Sequence, residues 1–317
     1  MSVIAMGAFA DIFILTEKEQ TQITNEADDW IDDMPIGMQD RLSDAVYHAI
    51  RGFEQEANHF RNMADTAGIG KYKVRVSDLK GGVSNDIGMR YYKPESTTRG
   101  ILPLLIYFHG GGWSLGSLAS VDKFCRALVS AGNISIVSID YPMSPEHPWP
   151  NAITACKNAV EYIHTNLASF HSSENLISLG GDGAGGNIAL QVYENLPENI
   201  KIRSLVLYYP LLSMKEGEID PQSKRAYGRG FGLDSRLWES FISAYNGKEI
   251  EWKKTLVPTL LISAGRDMII EENRQLSKSF NPVKYVEFTG AVHGFITDGH
   301  QKTAFEKAVA LTNSFLK

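Results

Sequence analysis

Three consecutive glycines stand at the end of a short apolar run, in the motif His109-Gly110-Gly111-Gly112-Trp113. Glycine adopts backbone conformations that are closed to other residues, and a run of glycines leaves its amide N–H groups uncovered. Uncovered N–H groups aimed at one point stabilise the negative oxygen that develops when a carbonyl group is attacked. The position directly after the predicted strand Leu104–Phe108 therefore favours an oxyanion-binding loop over a plain glycine-rich turn.

A second glycine-rich segment, Gly180 to Asn187, reads GGDGAGGN and lies between a predicted strand, Leu176–Leu179, and a predicted helix, Ala184–Leu196. Two further residues, Asp267 and His293, each follow an apolar run that has the length of a strand. Alone, either would be an ordinary polar group. Their positions after strands make them candidates for a common site.

From Leu102 onward, apolar runs alternate with helical stretches. Strands are predicted at Leu104–Phe108, Ile134–Ile139, Leu176–Leu179, Leu205–Tyr209, Thr259–Ser263 and Val283–Phe288. Helices are predicted at Val121–Ala131, Ala152–Leu167, Ala184–Leu196, Ser235–Tyr245, Glu271–Phe280 and Thr303–Leu316. This alternation predicts an α/β fold with a mostly parallel central sheet that is covered by helices on both faces.

The N-terminal part has a different pattern. Residues from about Glu17 to Ala67 are polar and helical in character, and one helix face is marked by Leu42, Val46, Ile50 and Phe53. Alternating residues then predict two strands, around Val74 and Met89, joined by a turn at Gly81-Gly82. We predict an N-terminal helical cap segment, 1–70, and a core, 71–317. Within the core, 213–251 is longer than an ordinary connection and is predicted to be a second cap insertion.

Three motifs together resemble the hormone-sensitive-lipase branch of the α/β-hydrolases, whose members are carboxylesterases, lipases and deacetylases. They are His109–Trp113, Asp140-Tyr141 with Pro145-Glu146-His147-Pro148, and Gly181–Asn187. The resemblance covers the chain from about Tyr72 to its C-terminus, and the N-terminal helices match that family's cap. It implies an α/β-hydrolase fold and hydrolysis of carboxylic esters with short or medium acyl groups, with no cofactor and no metal.

The resemblance also implies roles for single residues. The family's second motif reads GDSAGGN, with serine as the nucleophile, and the corresponding residue here is Gly183. His293 would be the general base, and Asp267 would orient its imidazole. The implied oxyanion hole consists of the N–H groups of Gly110, Gly111 and Ala184. The implied substrate-binding residues are Trp113, Asp182, Tyr227, Phe231 and Trp238. Glu146 would support the wall of the site without acting in catalysis.

Glycine at the nucleophile position has two consequences. The turn between strand and helix holds its central residue in a strained conformation with positive φ, which glycine adopts at little cost. The chain, however, lacks the hydroxyl group that serine-type acyl transfer requires. Two explanations stay open: Gly183 replaces serine in an esterase, which is then an inactive variant, or the chain is a natural non-catalytic protein that binds a small ligand. The plant gibberellin receptor is a precedent for the second on this fold branch.

Three other interpretations are weaker. Gly181-x-Gly183-x-x-Gly186 matches the dinucleotide-binding pattern, but the acidic residue that this pattern needs is missing from Leu205–Tyr209. Asp182 would be a nucleophile only if the family register were shifted by one residue. The eight histidines and two cysteines show no spacing typical of a metal site.

Composition excludes several classes of partner. The 317 residues carry a formal net charge of −6 and no long basic run, which gives no support for a nucleic-acid partner. No apolar run is long enough for a membrane span, and the apolar N-terminus lacks the basic residues of a signal peptide. Cys125 and Cys156 form no CxxC pattern, so a reducing, cytoplasmic location is expected. The expected partner is a small-molecule ester, and a homodimer stays open.

Overall fold

Every apolar run that the sequence predicts to be a strand belongs to one eight-stranded sheet. The computed structural model describes residues 14–33, 44, 46, 61, 63–82, 86–96 and 100–317. The strands are β1 (Val74–Gly81), β2 (Ile87–Pro94), β3 (Leu104–Phe108), β4 (Ser135–Asp140), β5 (Ile177–Asp182), β6 (Ser204–Tyr208), β7 (Thr259–Arg266) and β8 (Val283–Val292). Their spatial order is β1-β2-β4-β3-β5-β6-β7-β8. β2 runs antiparallel to both β1 and β4, whereas the other neighbours are parallel. The predicted mostly parallel sheet is confirmed.

Eight α-helices accompany the sheet in the described part of the chain. They are α1 (Glu17–Asp33), α2 (Asp122–Gly132), α3 (Asn151–Thr165), α4 (Ala184–Asn195), α5 (Pro221–Tyr227), α6 (Ser235–Tyr245), α7 (Ile270–Ser279) and α8 (Lys302–Leu316). The six predicted helices correspond to α2, α3, α4, α6, α7 and α8. The helix α5 was not predicted.

Two hydrophobic clusters lie on opposite faces of the sheet. In β3, Leu104, Ile106 and Phe108 belong to one cluster, and Leu105 and Tyr107 belong to the other. This alternation follows from the two-residue period of a strand. Apolar residues of α3, α4, α6 and α7 complete the first cluster, and those of α1, α2 and α8 complete the second. Both faces are therefore covered, which explains why the central strands are apolar throughout.

The first helix lies along the edge strand of the sheet. Its Gln20 side chain donates to the Glu287 carbonyl at 3.0 Å and accepts from the Thr289 N–H at 3.0 Å. Of the predicted helix face near residue 46, only Val46 is described; it is buried in the first cluster, and Leu42, Ile50 and Phe53 lie outside the described residues. No helix among the described residues combines the length and apolarity needed to cross a membrane.

Candidate active site

The polar residues singled out in the sequence meet because four parallel strands end at the same edge of the sheet. β3 ends just before His109, β5 ends at Asp182, β7 ends just before Asp267, and β8 ends just before His293. Both β7 and β8 extend beyond their predicted ends, by three and four residues respectively. The carboxyl ends of parallel strands are where open α/β sheets bind their ligands.

Gly183 forms the sharp turn between β5 and α4. Its backbone angles are φ 51° and ψ −117°, a region that strongly favours glycine. The expected positive φ is therefore confirmed. The turn is held on both sides: the Gly183 N–H donates to the Tyr208 carbonyl at 3.0 Å, and the Gly183 carbonyl accepts from Leu211 N–H at 3.0 Å.

His293 and Asp267 form a hydrogen-bonded pair. Nδ1 of His293 lies 2.6 Å from Oδ2 of Asp267, whose side chain is only 1% exposed. A carboxylate accepts hydrogen bonds, so Nδ1 donates to Asp267, and in this tautomer Nε2 is left as an acceptor. The ring of Tyr209 packs beside the imidazole, with 4.8 Å between centroids, and the His293 N–H donates to the Phe231 carbonyl at 3.2 Å.

Gly183 and His293 face each other. A Cβ atom placed on Gly183 with ideal geometry would lie 3.3 Å from Nε2 of His293 and 3.8 Å from its Cε1. Any side chain at position 183 would therefore project directly at the acceptor nitrogen of the His293–Asp267 pair. The structure thus brings together the three positions that the sequence places far apart along the chain.

Asp182 is directed to the opposite side of the turn. Its Oδ1 accepts from the Tyr107 hydroxyl at 2.8 Å and from the Gly110 N–H at 3.0 Å. Burial raises the pKa of Asp182 to about 6, although the two hydrogen bonds act to lower it. The carboxyl group thereby fixes the first glycine of the HGGGW loop. Because the Gly110 N–H already donates to Asp182, it is not free to donate to an oxyanion, which is the role that was expected for it.

Two amides of the HGGGW loop and one at the start of α4 are candidate oxyanion donors. Among the described residues, the N–H groups of Gly111, Gly112 and Ala184 donate to no protein acceptor. Gly111 and Gly112 have φ values of 110° and 58°, which glycine tolerates best. Ala184 begins α4, and the N–H groups in the first turn of a helix have no partner within the helix. Gly111 and Ala184 were predicted as oxyanion donors, and Gly112 was not.

The HGGGW loop rests on buried aromatic groups. His109 is fully buried and stacks on Tyr141 with 4.2 Å between ring centroids. Burial lowers the pKa of His109 to about 4, so this imidazole is neutral near pH 7. The Tyr141 hydroxyl donates to the His109 carbonyl at 2.7 Å. His109 is therefore a structural histidine, distinct from the solvent-accessible His293.

The segment 213–251 packs against this loop through α6. The Trp113 ring stacks on Tyr245, with 4.2 Å between centroids and 3° between planes, and a Cβ on Gly112 would overlap the Phe241 ring. Trp238 is also buried. The expected contacts of Trp113 and Trp238 with a substrate stay predictions, and both residues are almost completely buried in this structure.

Tyr227 and Phe231 are half-buried, and the backbone of Phe231 contacts His293. Their rings pack edge to face with 5.2 Å between centroids. The Phe231 carbonyl accepts from the His293 N–H, and Gly232 approaches the His293 carbonyl so closely that a Cβ there would overlap it. The loop after α5 thus holds the backbone of His293.

Sequence reasoning missed Arg61. This arginine is 6% exposed and forms a forked ion pair with Glu146, at 3.0 and 2.8 Å. It also donates to the carbonyl oxygens of Ser114, at 2.8 Å, and Ser144, at 3.1 Å. Arg61 therefore ties the N-terminal segment to the loop that follows the HGGGW motif. Glu146 has the supporting contacts that the sequence suggested.

The described residues contain no group of three or more His, Cys, Asp or Glu side chains that could hold a metal ion. The site is therefore built from a turn glycine, an imidazole–carboxylate pair and a set of backbone N–H groups.

Comparison with known proteins identifies the family. A family model for the alpha/beta hydrolase fold matches residues 105–297, more than half of the chain and all of the site described above. The chain belongs to the alpha/beta hydrolase family.

This α/β-hydrolase chain is similar to several proteins of known name. It is 28% identical over 260 residues to the carboxylic ester hydrolase LipN of Mycobacterium tuberculosis, covering 75% of this chain and 69% of LipN. It is 39% identical over 129 residues to the gibberellin receptor GID1B of Arabidopsis thaliana, covering 39% of this chain and 36% of the receptor. The esterase of Pyrobaculum calidifontis superposes with a TM-score of 0.71 at 24% identity, over 86% of this chain and 92% of the esterase. This last likeness shows the fold. The α/β-hydrolase fold predicted from the sequence is confirmed.

Proposed function

We propose that this chain has the active site of a carboxylic-ester hydrolase in which Gly183 occupies the position of the nucleophilic serine. The observation that carries the proposal is the 3.3 Å distance between a Cβ on Gly183 and Nε2 of His293, whose Nδ1 is held by Asp267. A serine at this position would place its hydroxyl group beside an imidazole that Asp267 orients. That is the arrangement in which histidine activates serine.

The proposed oxyanion hole consists of the N–H groups of Gly111, Gly112 and Ala184. Gly112 replaces Gly110 in this proposal because the Gly110 N–H donates to Asp182. With serine at position 183, its oxygen would attack the ester carbonyl, and His293 would take the proton and pass it to the leaving alcohol. Water would then release the acid by the same route. Without serine, turnover by this route falls by on the order of a million-fold.

The proposed substrates are small esters with short or medium acyl groups. The Phe231 carbonyl accepts from the His293 N–H, and α6 packs against Gly112, so we infer that the cap segment limits the room over the turn. We also infer a reducing, cytoplasmic location, because Cys125 and Cys156 are both free and buried.

A non-catalytic ligand-binding role is the second candidate. Two observations favour it: Gly183 itself, and the local similarity to a protein named as a receptor. A receptor needs the pocket and a cap, and it does not need a nucleophile.

The variant Gly183→Ser separates the two candidates. Its hydrolysis of 4-nitrophenyl acetate, butyrate and octanoate is compared with that of the parent chain. If the site is that of an esterase, the substitution raises kcat by on the order of a million-fold and produces a burst of 4-nitrophenol equal to the enzyme concentration. The double variant Gly183→Ser/His293→Ala is the matched control and should lose this gain. A folded Gly183→Ser variant that is no more active than the parent would favour the receptor role.

A further inference from the structure

Glycine at position 183 changes what can stand next to His293. In a serine-bearing chain, the space in front of Nε2 would be filled by Cβ and the hydroxyl oxygen. The 3.3 Å separation between that Cβ position and Nε2 shows that this space adjoins the imidazole directly. A water molecule, with its share of about 30 Å³ of liquid volume, is of a size to replace the two missing heavy atoms.

His293 has the properties of a general base toward such a water. Its Nδ1 proton is held by Asp267, which leaves Nε2 as an acceptor. The His293 side chain is 16% exposed, whereas that of Asp267 is 1% exposed. Solvent can therefore reach the imidazole, and the carboxylate that orients it stays shielded.

We propose that the chain as it stands hydrolyses activated carboxylic esters directly, with a water molecule beside Gly183 as the nucleophile. This inference rests on the proposed ester-binding site. The water oxygen forms the new bond to the acyl carbon, and one water proton moves to Nε2 of His293. The bond between the acyl carbon and the alcohol oxygen then breaks, and the proton passes to the departing alkoxide. The products are the free acid and the alcohol, and no bond to the protein is formed.

The oxyanion donors serve this reaction as they would serve acyl transfer. The N–H groups of Gly111, Gly112 and Ala184 are backbone groups, so their positions do not depend on a side chain at position 183. When a member of a catalytic triad is removed, such donors and substrate binding still accelerate hydrolysis by about 10³–10⁴-fold over the uncatalysed reaction in water. We expect a slow, steady hydrolysis of 4-nitrophenyl acetate of this order.

Two variants test the water position and the base. Gly183→Ala places a methyl group 3.3 Å from Nε2, supplies no nucleophile, and should lower the residual rate at least about tenfold. His293→Ala should lower it by about 100-fold. His300→Ala changes an exposed histidine outside the site and should leave the rate unchanged. Gly183→Ser adds the same Cβ as Gly183→Ala. An active Gly183→Ser and similar melting curves for the two variants would show that the turn tolerates this Cβ.

A fluorophosphonate, which inactivates serine esterases, distinguishes direct attack by water from hydrolysis by a contaminating serine esterase. It should abolish the activity of Gly183→Ser and leave the parent rate unchanged, because the parent has no serine at position 183 to be phosphonylated. The parent should also release 4-nitrophenol without a burst, since no acyl-enzyme accumulates.

The outcomes separate the two proposals. If Gly183→Ser is active and the parent rate is insensitive to the fluorophosphonate but lost in His293→Ala, both proposals stand. If Gly183→Ser is active but the parent is no faster than His293→Ala, direct water attack is overturned and the esterase site stands. If Gly183→Ser is folded and inert, both the esterase site and direct water attack are overturned.

Discussion

At the scale of single residues, the backbone of the turn at position 183 favours glycine over serine. With φ at 51° and ψ at −117°, the turn holds a conformation that costs a non-glycine residue about 1–2 kcal/mol. We therefore expect Gly183→Ser to lower the free energy of unfolding by about 1 kcal/mol while it supplies the hydroxyl group. Urea unfolding of the parent, Gly183→Ser and Gly183→Ala measures this, and the two variants should be similar. A serine variant more stable than the parent would show that the turn is not strained.

Asp182 predicts a pH dependence of stability. Its carboxyl group has a pKa of about 6 in the folded chain, raised by burial from an ordinary value of 3.8. Between these values the folded state binds more protons than the unfolded state, so this group's contribution to stability falls as the pH rises from about 4 to about 6. The slope for one group is at most about 1.4 kcal/mol per pH unit.

The variant Asp182→Asn isolates that contribution. The amide oxygen of asparagine still accepts from Tyr107 and Gly110 but does not titrate, so the variant should lack this slope. Urea unfolding from pH 4 to pH 8 should show the variant gaining stability relative to the parent up to about pH 6 and running parallel above it. Asp29→Asn, at an exposed carboxyl, controls for a lost charge. Parallel curves across the whole range would contradict the raised pKa.

At the scale of elements, a buried guanidinium joins the N-terminal segment to the loops beside the site. Arg61 contacts Glu146, Ser114 and Ser144 at once, and only a planar fork of donors reaches all three. We expect Arg61→Lys to lose about 2 kcal/mol of unfolding free energy although it keeps the charge, because the buried carbonyl oxygens lose their donors. Chemical denaturation measures the loss. Arg236→Lys, whose guanidinium is exposed and pairs with Asp44, is the control and should change stability little.

The strands and most helices, in their order along the chain, were predictable from the sequence. Contacts between side chains that are distant in the sequence were not. The strands that end before Asp267 and His293 are recognisable as apolar runs. Because parallel strands have their carboxyl ends at the same edge of a sheet, the two residues come together whatever the side-chain contacts between them. The bond between Gly110 N–H and Asp182 joins residues 72 positions apart. Neither periodicity nor a motif encodes which amide a buried carboxylate contacts. The family resemblance implied an oxyanion role for Gly110, and the structure shows its N–H bonded to Asp182 instead. Arg61 was missed for the same reason, since a lone arginine in a polar helical stretch carries no local signal of burial.

At the scale of the whole molecule, the two edges of the sheet are protected in different ways. β1 carries charged residues along the edge, among them Arg75, Asp78 and Lys80. Charged side chains discourage the pairing of exposed strand edges between molecules. The opposite edge, β8, is covered instead by α1. Gly290 approaches Thr24 so closely that a Cβ would overlap it, and Gln20 bonds with the backbone of β8 as a neighbouring strand would.

We predict from the two hydrogen bonds of Gln20 that this side chain limits association through β8. The variant Gln20→Ala leaves the Glu287 carbonyl and the Thr289 N–H without their partner. We expect it to lower the free energy of unfolding by about 1 kcal/mol and to increase self-association, because an uncovered edge offers a template for another strand. Sedimentation velocity at several concentrations measures the association. Gln22→Ala, on the exposed side of the same helix, is the matched control and should sediment as the parent does. If Gln20→Ala sediments unchanged while its stability falls, the helix protects the edge by its bulk, and the side-chain hydrogen bonds contribute to stability alone.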